Sequence, residues 1–222
     1  MNNPVEIILA LFFLSCLMLA ASSRMLHCIR LVSMQGILLG ILPLVFSGHF
    51  NFAHAGTAAI NIGIKAVALP LLLYMAMKKA KINRELEPLV GYSVSVAIVT
   101  LIAGFSFWLG NKLPLPAGSG NLSKLAVATA FTVLMTGLFI VTTRKKALTQ
   151  VIGFLIFENG ITLFGIGMMK EHTILIELGI LLDVLVLVMI MGIAICQISR
   201  KFEHIDADKL NRLDDLPEKE AE

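Results

Sequence analysis

The stretch Gly153-Phe-Leu-Ile-Phe-Glu158-Asn159-Gly160-Ile-Thr162-Leu-Phe-Gly165 sets a carboxylate and an amide in the middle of an apolar run of roughly 148–169. The next run, roughly 173–197, carries Asp183 at matching depth. Each acid lies about ten residues in from one end of its run, about 15 Å at helical rise, which is the middle of a bilayer. A charge at that depth costs at least ~2.5–3.5 kcal/mol on insertion scales, so two in consecutive spans point to use rather than accident. The pair reads as a proton site.

Composition agrees with a membrane setting. Of 222 residues 57% are hydrophobic and only 15% charged, with a mean hydropathy of +0.87. That excludes a soluble globular domain. Apolar runs between breaker and charge clusters fall at about 5–22, 29–48, 55–77, 89–110, 122–143, 148–169 and 173–197. The expected fold is therefore an all-α integral membrane protein of about seven transmembrane helices. The N-terminal run lacks a basic n-region and reads as a retained helix.

Basic residues orient the spans. Arg24 and Arg30, Lys78, Lys79, Lys81 and Arg84, Arg144, Lys145 and Lys146, and five in the tail put fourteen on one side. Lys112, Lys124 and Lys170 fall on the other, and Lys65 lies within a span. The positive-inside rule then places the N-terminus outside and the C-terminus in the cytoplasm. A Pro/Gly-bearing outer connection over 111–121 divides a four-helix half, 1–110, from a three-helix half, 122–198. The tail 199–222 is charged and net acidic, and it reads as solvated. Tyr92 and Trp108, near opposite ends of the fourth span, suit the two membrane interfaces, although such belts are only an enrichment.

Other polar residues at depth extend the candidate site. Glu158 shares a helical face with Val151, Leu155, Thr162 and Gly165, while Asn159 points elsewhere, toward a neighbour's backbone or a water chain. Desolvation favours a neutral acid and a nearby cation the charged form, so an acid held between both can take up and release a proton. Lys65 sits at mid-depth ahead of Pro70, whose missing N–H frees the Ala66 carbonyl and tends to kink the helix. A free carbonyl beside an ammonium makes a polar island that water can reach. Lys65 is either a relay residue, the partner that keeps an acid ionised, or half of a pair that only locks helices. Glu177, about a turn from its helix end, is an entry or exit group or a partly wet carboxylate. Gly153 and Gly160, like Gly36 and Gly40, read as packing positions.

The chain offers no metal centre and calls for no cofactor. Cys16, Cys28 and Cys196 are isolated, and His49, His54 and His172 lack a defensible ligand spacing. No Ser/His/Asp set, phosphate loop or nucleic-acid surface is present in the sequence.

The segments quoted above, with Glu177-Leu-Gly-Ile-Leu-Leu-Asp183-Val-Leu-Val, Arg200-Lys201 and Ile64-Lys65-Ala-Val-Ala-Leu-Pro70-Leu, resemble component E of hydrogenase-4. That family belongs to the membrane arms of energy-converting nickel–iron hydrogenases and formate hydrogenlyases. The last three spans also resemble the K subunit of complex I and the C subunit of multisubunit cation/proton antiporters. In the K subunit two consecutive spans each carry a glutamate, and Glu158 and Asp183 stand at the corresponding places, Asp183 one methylene shorter. The resemblance implies a non-catalytic, multi-pass inner-membrane subunit contributing to a proton or sodium path. Its partners would be antiporter-like and complex I-like membrane subunits, with soluble nickel–iron and iron–sulfur subunits on the cytoplasmic side. The rivals are a stand-alone secondary transporter, against which no inverted repeat is evident, and a scaffold subunit without transport.

Overall fold

The computed structural model describes residues 3–47, 62–79, 90–113 and 121–168, together with residues 186, 189, 190 and 192. The chain order is α1 (Asn3–Ala21), α2 (Met25–Ser47), a π-helical segment π1 (Ile62–Ala68) continuing into α3 (Leu69–Lys79), α4 (Tyr92–Lys112), α5 (Asn121–Thr143) and α6 (Ala147–Met168). No β-strand element forms among the described residues. Uninterrupted Leu, Ile, Val, Ala and Phe leave the backbone no solvent partner in lipid, so it bonds to itself as helix.

Five helices, α1, α2, α4, α5 and α6, are long and apolar enough to cross a membrane. They coincide with the first, second, fourth, fifth and sixth expected spans. The third is described only from Ile62 onward. The seventh lies almost wholly outside the described residues, although Val186 and Ile190 within it are helical and buried.

Two boundaries differ from expectation. Arg30, expected in the first loop, stands inside α2 with an exposed side chain. The turn needs only residues 22–24, because the Ser22 amide donates to Leu19 O at 3.3 Å and the His27 amide to Arg24 O at 3.0 Å. Lys78 and Lys79, also expected in a loop, close α3. Their long apolar stems let a helical residue carry its charge to the interface.

Between α5 and α6 the turn is tight, as three basic residues in the sequence require. The Arg144 amide donates to Ile140 O at 3.1 Å, and Gln150 Nε2 closes the turn onto Arg144 O at 3.0 Å. Arg144 is buried, with its guanidinium 5.6 Å from the centre of the Tyr92 ring. At the far end of α4, Lys112 Nζ lies 4.3 Å from the centre of the Trp108 ring. Both end aromatics of α4 therefore hold a cation against the ring face.

Packing is tightest between α5 and α6. A Cβ added at Gly160 would stand 2.5 Å from Leu134 N and 2.7 Å from its Cα, and one at Gly153 would stand 2.8 Å from Val141 N. At Gly137 it would strike the backbone of Phe157. Bare glycine surfaces let the two backbones touch, which is how helices gain contact where lipid removes the hydrophobic drive. Around this pair α1 packs on α2, α4 and α5, while α2 packs on α6, π1 and α3. Helices from both sides of the 111–121 connection thus lie against each other. From Leu148 to Gly167 no α6 residue is exposed, and Thr149, Glu158 and Asn159 are buried.

Candidate functional site

Pro70 shapes the segment that carries Lys65. It cannot donate a backbone hydrogen bond, and the turn before it is π-helical, a form rare in proteins and frequent at functional sites. The freed Ala66 carbonyl is not left to water: Ser33 Oγ on α2 donates to it at 2.6 Å. Three residues further along α2, Gly36 lies directly on the Lys65 backbone, where a Cβ would come 2.9 Å from the carbonyl carbon. Ser33 and Gly36 together seat α2 on π1 and hold the root of the lysine. Ser33→Ala is expected to cost about 1 kcal/mol in detergent unfolding, because a part-buried carbonyl loses the hydroxyl bonded to it, while Ser33→Thr keeps most of the stability. An unchanged midpoint for the alanine variant would show that the carbonyl has another donor.

Lys65 and Glu158 meet. Their side chains are 4% and 0% exposed, and the Lys65 ammonium donates to Glu158 Oε1. The same ammonium lies 3.3 Å from Thr162 Oγ1, whose hydroxyl donates to the Glu158 backbone carbonyl at 3.1 Å. Thr162 follows Glu158 by one turn, so the acid face expected from the sequence supplies both contacts. Removing two charges from water is expensive, and their attraction in a dry interior offsets that cost only with close geometry and additional hydrogen bonds. Here both are present.

A second polar chain runs beside the pair. Asn159 Nδ2 donates to Gln35 Oε1 at 3.3 Å, Gln35 Nε2 donates to Ser15 Oγ at 2.7 Å, and Ser15 Oγ donates to Phe12 O at 2.6 Å. All three side chains are buried. Asn159 thus engages a side chain on α2 rather than a backbone. Gln35, Ser15 and Ser33 were not singled out from the sequence. Gln35 carried a usable signal, being an amide at the middle of an apolar span, whereas a membrane serine usually bonds its own helix and reveals nothing by its position.

Of the other sequence candidates, Pro70 ends π1 one residue into α3, and Gly153 and Gly160 line the α5 contact. Asp183 and Glu177 lie outside the described residues, as do His49, His54, His172, Cys196 and the tail. Cys16 and Cys28 are buried.

These features define a helical membrane protein whose interior holds a lysine–glutamate pair flanked by amides and hydroxyls. The chain belongs to the family of "Uncharacterized protein Rv0085" of Mycobacterium tuberculosis, with 33% identity over 193 residues that cover 84% of this chain and 85% of that protein. It is more distantly similar to hydrogenase-4 component E of Escherichia coli K12, 26% identical over 149 residues that cover 67% of this chain and 68% of the relative. The Shigella flexneri protein of that name matches to the same extent. No family model and no solved structure matches the chain.

Proposed function

We propose that this chain is a non-catalytic inner-membrane subunit of a hydrogenase-like respiratory complex, and that Lys65 and Glu158 form a station on its proton or sodium path. The ion pair enclosed among apolar helices carries the reading. A buried pair adds little net stability compared with apolar residues of similar size, and ionisable residues inside membrane spans mark ion pathways by default. The similarity to hydrogenase-4 component E supplies the kind of complex.

In this reading about seven helices cross the membrane with the N-terminus outside and the tail 199–222 toward soluble nickel–iron and iron–sulfur subunits. The last three helices act as a unit like the K subunit of complex I, beside antiporter-like membrane subunits. Asp183 is the next station after Glu158, and Glu177 serves the outer end. Redox events in the partner subunits shift the local field and so alternate the acids' hold on the ion. Each charge moved across the membrane is worth about 2.3 kcal/mol per 100 mV.

The test is Asp183→Asn, and separately Glu158→Gln, in the assembled complex, with proton uptake and hydrogenase turnover measured side by side. Uptake per turnover is expected to fall to background with the complex intact. Unchanged coupling in both variants would reject the path.

A further inference from the structure

We infer that the ion carried at this site is the proton, and that Lys65 is the residue that keeps sodium out; the inference rests on the ion-path reading above. A sodium ion inside a membrane must exchange its hydration shell for protein oxygens, which come from carboxylates, hydroxyls and carbonyls freed where helices unwind. Among the described residues all three kinds occur, and each kind supplies an oxygen that already takes a donor. Glu158 Oε1 receives the Lys65 ammonium, and Thr162 Oγ1 lies 3.3 Å from that same nitrogen while its hydrogen goes to Glu158 O. The carbonyl that Pro70 frees, Ala66 O, is bonded by Ser33 at 2.6 Å. Further along, Gln35 Oε1 receives Asn159 and Ser15 Oγ receives Gln35.

A tethered monovalent cation therefore occupies the place between carboxylate and hydroxyl that a sodium ion would need. Its root is fixed, because Gly36 of α2 lies against the Lys65 backbone with no room for even a Cβ, so only the side chain could carry the ammonium away. A sodium ion arriving beside the ammonium would meet a like charge at low dielectric, where repulsion is far stronger than in water. A proton meets the same like charge, but it needs no place of its own between the two groups. It adds to a carboxylate oxygen of Glu158 to give the carboxylic acid, the ammonium keeps its three hydrogens, and the pair passes from net zero to +1. Loss of that proton restores the starting state, and no oxygen shell has to be built.

Two measurements test this. The purified full chain is melted in sodium, potassium and choline chloride at equal ionic strength and pH. Wild type is expected to melt at one temperature in all three. Lys65→Gln, which withdraws the ammonium and leaves Glu158 and Thr162, is expected to gain a sodium-specific rise of about 2–4 °C at sodium well above its Kd. Adding Glu158→Gln should remove that rise. A sodium-specific rise in wild type that Glu158→Gln abolishes overturns the proton assignment and leaves the ion path standing; no rise in a folded Lys65→Gln overturns the excluding role of Lys65.

In membrane vesicles bearing the assembled complex, wild type should take up protons equally with and without sodium and take up no radiolabelled sodium. This arm decides the ion even where Lys65→Gln does not fold. Sodium uptake that depends on Glu158 again overturns the inference. Proton uptake that survives Glu158→Gln in an assembled complex takes the Lys65–Glu158 station out of the path, and this inference with it.

Discussion

Glu158→Ala is expected to lower the stability of the chain by about 3–5 kcal/mol, the loss seen when one member of a buried ion pair is removed. The Lys65 ammonium, 4% exposed, would remain in the interior with the Thr162 hydroxyl but without its countercharge. The double variant Lys65→Met/Glu158→Leu is expected to recover most of that loss, since apolar residues of similar volume remove the burial penalty with the pair. Equilibrium unfolding in detergent measures both, and co-purification of the neighbouring subunits reports assembly. A single-variant loss below about 1 kcal/mol, the size of an exposed pair, would mean that water reaches the site freely.

The double variant also separates a relay from a lock. If the pair only joins π1 to α6, restoring stability restores everything. If it carries an ion, the repaired complex assembles and turns over without proton uptake. This outcome is the expected one, because a pair that nearly breaks even energetically is not explained by stability alone.

Gly160→Ala is expected to cost about 3 kcal/mol, at the upper end of overpacking penalties. The new methyl would meet main chain rather than a flexible tip, 2.5 Å from Leu134 N and 2.7 Å from its Cα, so α5 and α6 must part. Asn159 and Glu158 immediately precede this glycine, so the opening should also loosen their bonds to Gln35 and Lys65. Gly104→Ala on α4 is the control: nothing lies within 4 Å of its added Cβ. There alanine's better helix propensity should leave stability unchanged or raise it by up to about 1 kcal/mol. Equal effects at the two positions would show that the α5–α6 crossing is looser than its geometry indicates.

Much of this site was legible along the chain, residue by residue. Glu158 and Lys65 stood out because a charge within an apolar span is costly wherever its helix packs. Pro70 announced a carbonyl without a donor for the same kind of reason, a covalent one. Neither argument reached Ser33 or Gln35. A single hydroxyl or amide is a weak hydropathy signal, and its meaning depends on which residue of another helix lies opposite. The π-helical turn was equally hidden, since a kink and a π turn both relieve the clash that proline creates.

Which residues fall inside apolar spans was thus set by composition alone, since backbone bonds close within each helix whatever its neighbours. Which helices adjoin, and with which faces, was decided only in three dimensions. Lipid is as apolar as leucine and drives no particular pairing, so selection falls to close backbone contacts at Gly36, Gly137, Gly153 and Gly160 and to polar partners such as Ser33 and Gln35. Those contacts place the Lys65 ammonium against Glu158, 93 residues away in the chain.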